Sequence, residues 1–375
     1  MTTHLRDQGN QAEQAEEAQR AHQPQQTNQT HEIYEPHQTH QPPAGHPSGG
    51  PNPPKSGPLR LGGTAWLVWR QHRAAFWTLI ALTLIGVAAM VFLRDRMTDY
   101  LDSLPQGSGG LPAEFETYLD RLTQAGDFLG YAPILVGVFL GAPLVAGDLE
   151  TGTAKLVTAQ SVSRLRWLTM KFALPAALIA LCTGLLGIVF RWWWTPVRGR
   201  TDVLEWTSAA IFNVTGIMPV AYALLTFTVG VTVGVLLRRT LVSMVVTLGI
   251  IGAISLLWGR FKLDLGHLVT ATTHHGAGPD SALPKLPAEA IQQGQGTSFL
   301  TSSGERLDWL TCTDKLDNAQ AHAACLDSHH IVGRAIDYLP VSQMPTMQWL
   351  GAGIMFTLTV ALVAFLVPWT RKRLL

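Results

Sequence analysis

Six runs of apolar residues divide the chain, and each is long enough to cross a bilayer, which takes about 20 residues in a helix. They are Ala74 to Leu93, Phe128 to Ala146, Phe172 to Phe190, Gly216 to Leu237, Leu241 to Trp258 and Trp349 to Val367. No Asp, Glu, Lys, Arg or His interrupts any of them. In hydrocarbon every backbone N–H and C=O needs a partner inside the protein, so runs of this length form helices. The pattern predicts an all-α integral membrane protein, its six transmembrane helices lying within residues 59–375.

Polar stretches complete the map. From Met1 to about Pro58, Gln, His, Pro, Thr, Asn and Gly dominate, with Ile33 and Tyr34 nearly alone as larger apolar side chains. Residues 1–58 cannot bury enough surface to offset their ordering entropy and are expected to form a disordered tail. A secretory signal would show a charged start, an apolar core and a cleavage site, and the tail has none of these. Its scattered His have neither fixed spacing nor accompanying Cys, so they read as solvated polymer rather than a metal tract.

Charge placement gives orientation. Arg70 and Arg73 precede the first run; Lys155, Arg164, Arg166 and Lys171 lie between the second and third; Arg238 and Arg239 separate the fourth and fifth; Arg371, Lys372 and Arg373 follow the sixth. All four clusters fall on one side if every run crosses, and the excess of Lys and Arg marks that side as cytoplasmic, with both termini in it. The segment Arg94 to Asp127, with three basic against seven acidic residues, and the long connection 259–348 are then external. Arg191, Arg198 and Arg200 run against this assignment, although Trp192, Trp193 and Trp194 suit an interfacial aromatic belt. A formal net charge of +1 gives no reason to expect nucleic acid as a partner.

Two polar features adjoin the runs. Thr64 to Arg73 (TAWLVWRQHR) sets Trp66, Leu67 and Trp69 against Arg70, His72 and Arg73, as in an amphipathic helix lying in the interface. The second is GDLETGTAKLVTAQSVSRLRW, Gly147 to Trp167, within the cytoplasmic loop 147–171. Gly152 permits a sharp reversal, Thr151 or Thr153 can cap a helix of about two turns over Ala154 to Gln160, and Ser161 or Ser163 can cap the next. That next helix carries Arg164, Arg166 and Lys171 at the headgroup level with Trp167. A short helix held between two spans passes movement to both; the alternative is an ordinary loop whose charges fix topology.

Several functions lack their chemistry. An ion-coupled pump holds its ion with ionisable groups near the midplane, and the runs contain none. The sequence has no G-x-x-x-x-G-K-[ST] loop to cradle nucleotide phosphates. If the chain moves something uphill, another subunit supplies the work. An intramembrane hydrolase needs a nucleophile with its base, whereas Ser243 and Ser255 have no His or Asp in any run. Pro133, Pro143, Pro175 and Pro219, with Gly137, Gly141, Gly184, Gly187, Gly230 and Gly234, read as close helix packing, and Gly230-x-x-x-Gly234 fits the small-xxx-small pattern; hinges for alternating access are the alternative. In the 259–348 connection, Cys312 and Cys325 suit a disulfide in an oxidising compartment, which the sequence leaves open. His322, Cys325, His329 and His330 have spacings that zinc accepts, but Cys312 offers Cys325 another partner, so no metal is expected.

The residues Asp148, Glu150, Gly152, Thr153, Gln160, Ser161, Val162, Ser163, Arg164, Arg166, Trp167 and Lys171 resemble the first cytoplasmic loop of permease subunits of ABC-2 type transporters, above all the branch common in actinobacteria. Thr64 to Arg73, the turn Leu237-Arg238-Arg239-Thr240, and Pro340 to Gln348 with the last run and RKR extend the likeness over Leu61 to Leu375. The resemblance implies a bacterial plasma-membrane exporter whose loop is a coupling helix docking on a separate ATPase. Asp148, Glu150, Gly152, Thr153 and Lys155 would form that contact, with Arg164 and Arg166 either touching the ATPase or anchoring to anionic lipid. It implies no cofactor bound by this chain, with ATP and Mg held by the ATPase, and a second permease, in a homodimer or heterodimer, completing the pathway in the lipid bilayer. A rival of another class is a membrane sensor or anchoring protein binding a ligand through the 259–348 connection.

Overall fold

The computed structural model describes residues 64–105, 112–151, 164–200, 204–274, 276–277, 281–313 and 318–373, all within the compact unit Leu59–Leu375. The expected tail, residues 1–58, lies outside them. Six helices among the described residues are long and apolar enough to span a membrane.

The first span is α1, Thr64–Ser103, bent at His72, where φ of −110° and ψ of 16° leave the helical region. The bend separates the amphipathic segment from the apolar run. Past Leu93 the helix continues through Arg94, Asp95 and Arg96, because charge ends a span without ending a helix. The returning chain is helical too, a 3-10 turn Ala113–Phe115 leading into α2, Glu116–Leu135. The acidic segment 94–127, read as an external connection, is thus largely a continuation of two spans. Tyr100 packs on Tyr118 at 5.4 Å and on Phe115 at 6.0 Å.

The second span then widens into a π-helical turn, Val136–Gly141, before α3, Ala142–Glu150. Pro133 and Pro143 bracket that turn, and each lacks the N–H an α-helix would use. The Ala142 N–H reaches Gly137 O instead. The third span is α4, Arg164–Trp194, followed by a 3-10 turn Thr195–Val197 and the short α5, Ala209–Phe212. Next come α6, Met218–Leu237, and α7, Thr240–Phe261.

The hub is α6, most of whose residues from Met218 to Val235 are buried. Its glycines let the second span press against it. A Cβ on Gly141 would lie 2.6 Å from Phe227 O, and one on Gly230 would strike Gly137 O and Ala142 N. Thr226 Oγ1 donates to Pro133 O at 2.7 Å, across the same contact. The expected close packing through small residues is what these positions do.

The 259–348 connection corrects the all-α expectation. It holds an antiparallel four-stranded sheet of β1, Val269–Thr273, β2, Ile291–Thr301, β3, Arg306–Asp308, and β4, Ile331–Leu339, in the order β1-β4-β2-β3. Val269 pairs with Tyr338 and Thr273 with Arg334 on one side of β4; Ser298 pairs with Ala335 on the other, with an irregularity between Gln292 and Thr297. These strands are too short and too polar to register as apolar runs. Two short helices, α8, Leu310–Thr313, and α9, Ala319–Ser328, lie between β3 and β4, joined by a disulfide between Cys312 and Cys325 with Cα atoms 5.9 Å apart. Phe299, Cys312, Cys325 and Leu326 are buried beneath the sheet, Trp309 stacks on Phe299 at 4.7 Å, and Arg334 lies over the Trp309 ring at 5.2 Å. Burial lowers the Arg334 pKa by desolvation. Its two terminal nitrogens donate to Ser281 O and Ala277 O.

The last span, α10, Met344–Arg373, starts beside the sheet. Gln348 Nε2 donates to Phe212 O at 2.9 Å and to Thr215 O at 3.1 Å, fastening α10 to the turn before α6. Arg198 Nε bonds both Glu289 oxygens at 2.9 and 3.0 Å, and the Arg94 guanidinium stacks 3.7 Å over Trp192. Trp193 and Trp194 are buried in the core, which corrects their expected place in an interfacial belt; only Trp192 is exposed. The bundle therefore has a sheet end and an opposite end where Lys171, Arg238 and Arg239 lie, the basic end.

Candidate functional site: the basic end of the bundle

At the basic end, α3 ends in Gly147-Asp148-Leu149-Glu150, and its two carboxylates turn toward neighbouring helices. Asp148 forms an ion pair with Lys171 of α4, whose side chain is fully buried. Gln71 Nε2, on α1 beside the bend, donates to Asp148 Oδ1 at 2.9 Å. One carboxylate thus joins three spans. Taking a lysine out of water is costly unless it is paired, and removing one member of such a buried pair costs about 3–5 kcal/mol.

Glu150 makes the fourth link. Its Oε2 accepts from the Thr240 backbone N–H at 2.9 Å and from the Thr240 hydroxyl at 2.7 Å. The first N–H groups of a helix have no partner inside it, and α7's own N-cap, Arg239, supplies no side-chain bond. A carboxylate from α3 does this work and places negative charge at the positive end of the helix dipole. Just before it, Arg238 takes a left-handed φ of 56°, and its N–H reaches Gly234 O at 3.1 Å to close α6. That conformation, usual for Gly at a helix end, turns the chain from α6 into α7 within two residues. The tight turn expected at Leu237-Arg238-Arg239-Thr240 is this one.

The other sequence-predicted residues distribute as follows. Gly152, Thr153 and Lys155 lie outside the described residues, as does the helix expected over Ala154 to Gln160. Arg164 and Arg166 stand in the first turn of α4. Thr151, expected to cap a following helix, donates its hydroxyl back to Gly147 O at 2.9 Å. Before the α1 bend, Arg70 sits 5.2 Å from the exposed Trp66 ring, and Trp69 packs on Phe76 at 5.2 Å and Trp77 at 6.1 Å; Arg73, just after it, is exposed. Lys171, expected among the headgroups, is buried in the protein, paired with Asp148. Gln71 and Thr240 carry no local sequence signal for these roles, since their partners are 77 and 90 residues away.

What the arrangement does is mechanical: it ties α1, α4 and α7 to the end of α3, where the 151–164 segment leaves. No curated protein and no solved structure matches the chain. A protein-family model, described as ABC-2 membrane transporter related, matches residues 80–262, which takes in the first five spans from within α1 but neither the sheet nor the sixth. Over residues 80–262 the bundle is similar to the ABC-2 membrane transporter related family, and the six long apolar helices among the described residues make the chain a multi-pass membrane protein.

Proposed function

We propose that the chain is the membrane permease subunit of an ATP-driven exporter, worked from the cytoplasm by a separate ATPase that presses on the segment after Glu150. Two permeases, alike or different, line the pathway between them. ATP and Mg belong to the ATPase. The observation that carries this reading is the pair of polar ties at Asp148 and Glu150. A push on the segment between Thr151 and Arg164 reaches α3 and α4 directly, and through those ties α1 and α7 as well. In this reading Asp148 and Glu150 transmit force inside the permease, while Gly152, Thr153, Lys155, Arg164 and Arg166 face the ATPase.

The test separates docking from transmission. Gly152→Trp with Lys155→Glu is expected to abolish co-purification with the ATPase, and retained association would remove the docking assignment. Thr240→Val, which deletes only the hydroxyl tie, should leave association intact and lower ATP-dependent transport. If transport is unchanged while the fold is intact, force does not travel through that tie.

A further inference from the structure

At the sheet end a cleft of about 190 Å³ opens between α2, α5 and α7. Three of its lining residues are glycine. Gly126 brings α2 hard against α5, where a Cβ would sit 2.6 Å from Ala210 O. One turn on, Gly130 has nothing within 4 Å, and neither has Gly259 on the facing wall. At the end of α7, just beyond the last helical turn, Lys262 lines the cleft, 7% exposed. Its Nζ donates to Thr207 O at 2.7 Å and lies 5.6 Å from the Phe212 ring. Among the described residues no carboxylate lies within 4 Å of it.

A buried ammonium group has three donors and a charge that ordinarily demands an anion. Here the protein supplies a carbonyl and a ring, and the open side of the site is the cleft. Asp127, exposed, lines the same cleft with Tyr131 and Trp258, so a carboxylate and aromatic faces lie within one small volume of the lysine. Carboxylate plus aromatic ring is a setting for an organic cation. Below it, large apolar side chains continue on both helices toward the middle of the bundle, Leu135 and Phe139 on the second span and Leu248 on α7, all exposed. We infer that the cleft binds the headgroup of a zwitterionic phospholipid-like amphiphile, its phosphate on Lys262, its ammonium between Asp127 and Tyr131, and its acyl chains along those apolar side chains. The inference rests on membrane placement and needs no ATPase, so its failure would leave the proposed coupling untouched.

The full chain, purified in a neutral maltoside, is titrated with phosphatidylethanolamine, with diacylglycerol as the headless control and inorganic phosphate as competitor, and bound lipid is counted by native mass spectrometry. The expected result is binding of phosphatidylethanolamine and not of diacylglycerol, weakened about ten- to hundredfold by Lys262→Gln, the range that one charge-assisted hydrogen bond carries. Gly259→Leu fills the cleft from an open helical position, where leucine favours the helix, and is expected to weaken binding as much with the fold intact. Asp127→Asn should weaken phosphatidylethanolamine and spare phosphatidylglycerol, which lacks the ammonium. Equal binding of diacylglycerol, or wild-type affinity in both Lys262→Gln and Gly259→Leu, overturns the inference. Displacement of the lipid by millimolar phosphate overturns it as well, by assigning the cleft to a free anion.

Discussion

The fourth and fifth spans, α6 and α7, are joined by a two-residue turn and are almost equally apolar. Yet most of the apolar stretch of α6 is buried inside the protein and little of that of α7. Hydropathy reports that a segment leaves water and says nothing of whether it faces protein or lipid, since lipid tails are as apolar as leucine. What separates the two helices is the arrangement of small and hydroxyl-bearing residues. In α6, Gly230 and Gly234 meet Gly137, Ala142 and Ala146, and the buried hydroxyls of Thr226, Thr228 and Thr232 each find a carbonyl. On α7, Gly249 and Gly252 have nothing within 4 Å, and Leu241, Val245 and Leu256 point outward.

The contrast is broken most forcefully at Gly230. Gly230→Leu drives a side chain into the backbone of the second span and is expected to cost more than about 3 kcal/mol, read as loss of a cooperative thermal transition in detergent. Phe227→Ala, at a fully buried position, should follow at about 3 kcal/mol from lost packing contacts. Thr226→Val removes the hydroxyl that bonds Pro133 O and should cost about 1 kcal/mol. At the other extreme, Leu256→Ala on α7 should change stability by no more than about 0.5 kcal/mol. A large loss there would mean that this face of α7 is covered by a second copy, and the apparent transition temperature would then depend on protein concentration.

How much of this was legible follows from distance along the chain. Each span was visible because about 20 consecutive apolar residues form a local signal. The bend near Arg73 was legible in part, as an amphipathic stretch ahead of an apolar one. The sheet was not: its strands pair β1 with β4 and β2 with β4 across 30 to 70 residues, and the strands alternate with turns too polar to attract attention. At the basic end Asp148 and Glu150 stood out in a compact motif, but as groups facing outward. Their partners Gln71, Lys171 and Thr240 come from three other helices, so only the packed bundle shows what the carboxylates bond, with Glu150 still exposed. Lys262 was passed over for a related reason, as a single cation at the end of an apolar run reads as an anchor until the turn at Thr207 is seen to bury it.

By itself, the sequence determined that the chain crosses a membrane, roughly where each crossing lies, which connections carry positive charge, and that one short loop stands apart. Those are properties of contiguous residues transferred between water and hydrocarbon, and their free energies are nearly additive along the chain. Tertiary structure alone decided that α6 is the hub, that Trp193 and Trp194 are core, that the long connection folds into a sheet, and that Asp148 and Glu150 tie four helices together. Each of these depends on which surfaces meet, and in a medium where burial against lipid and burial against protein cost about the same, shape and polar pairing make that choice.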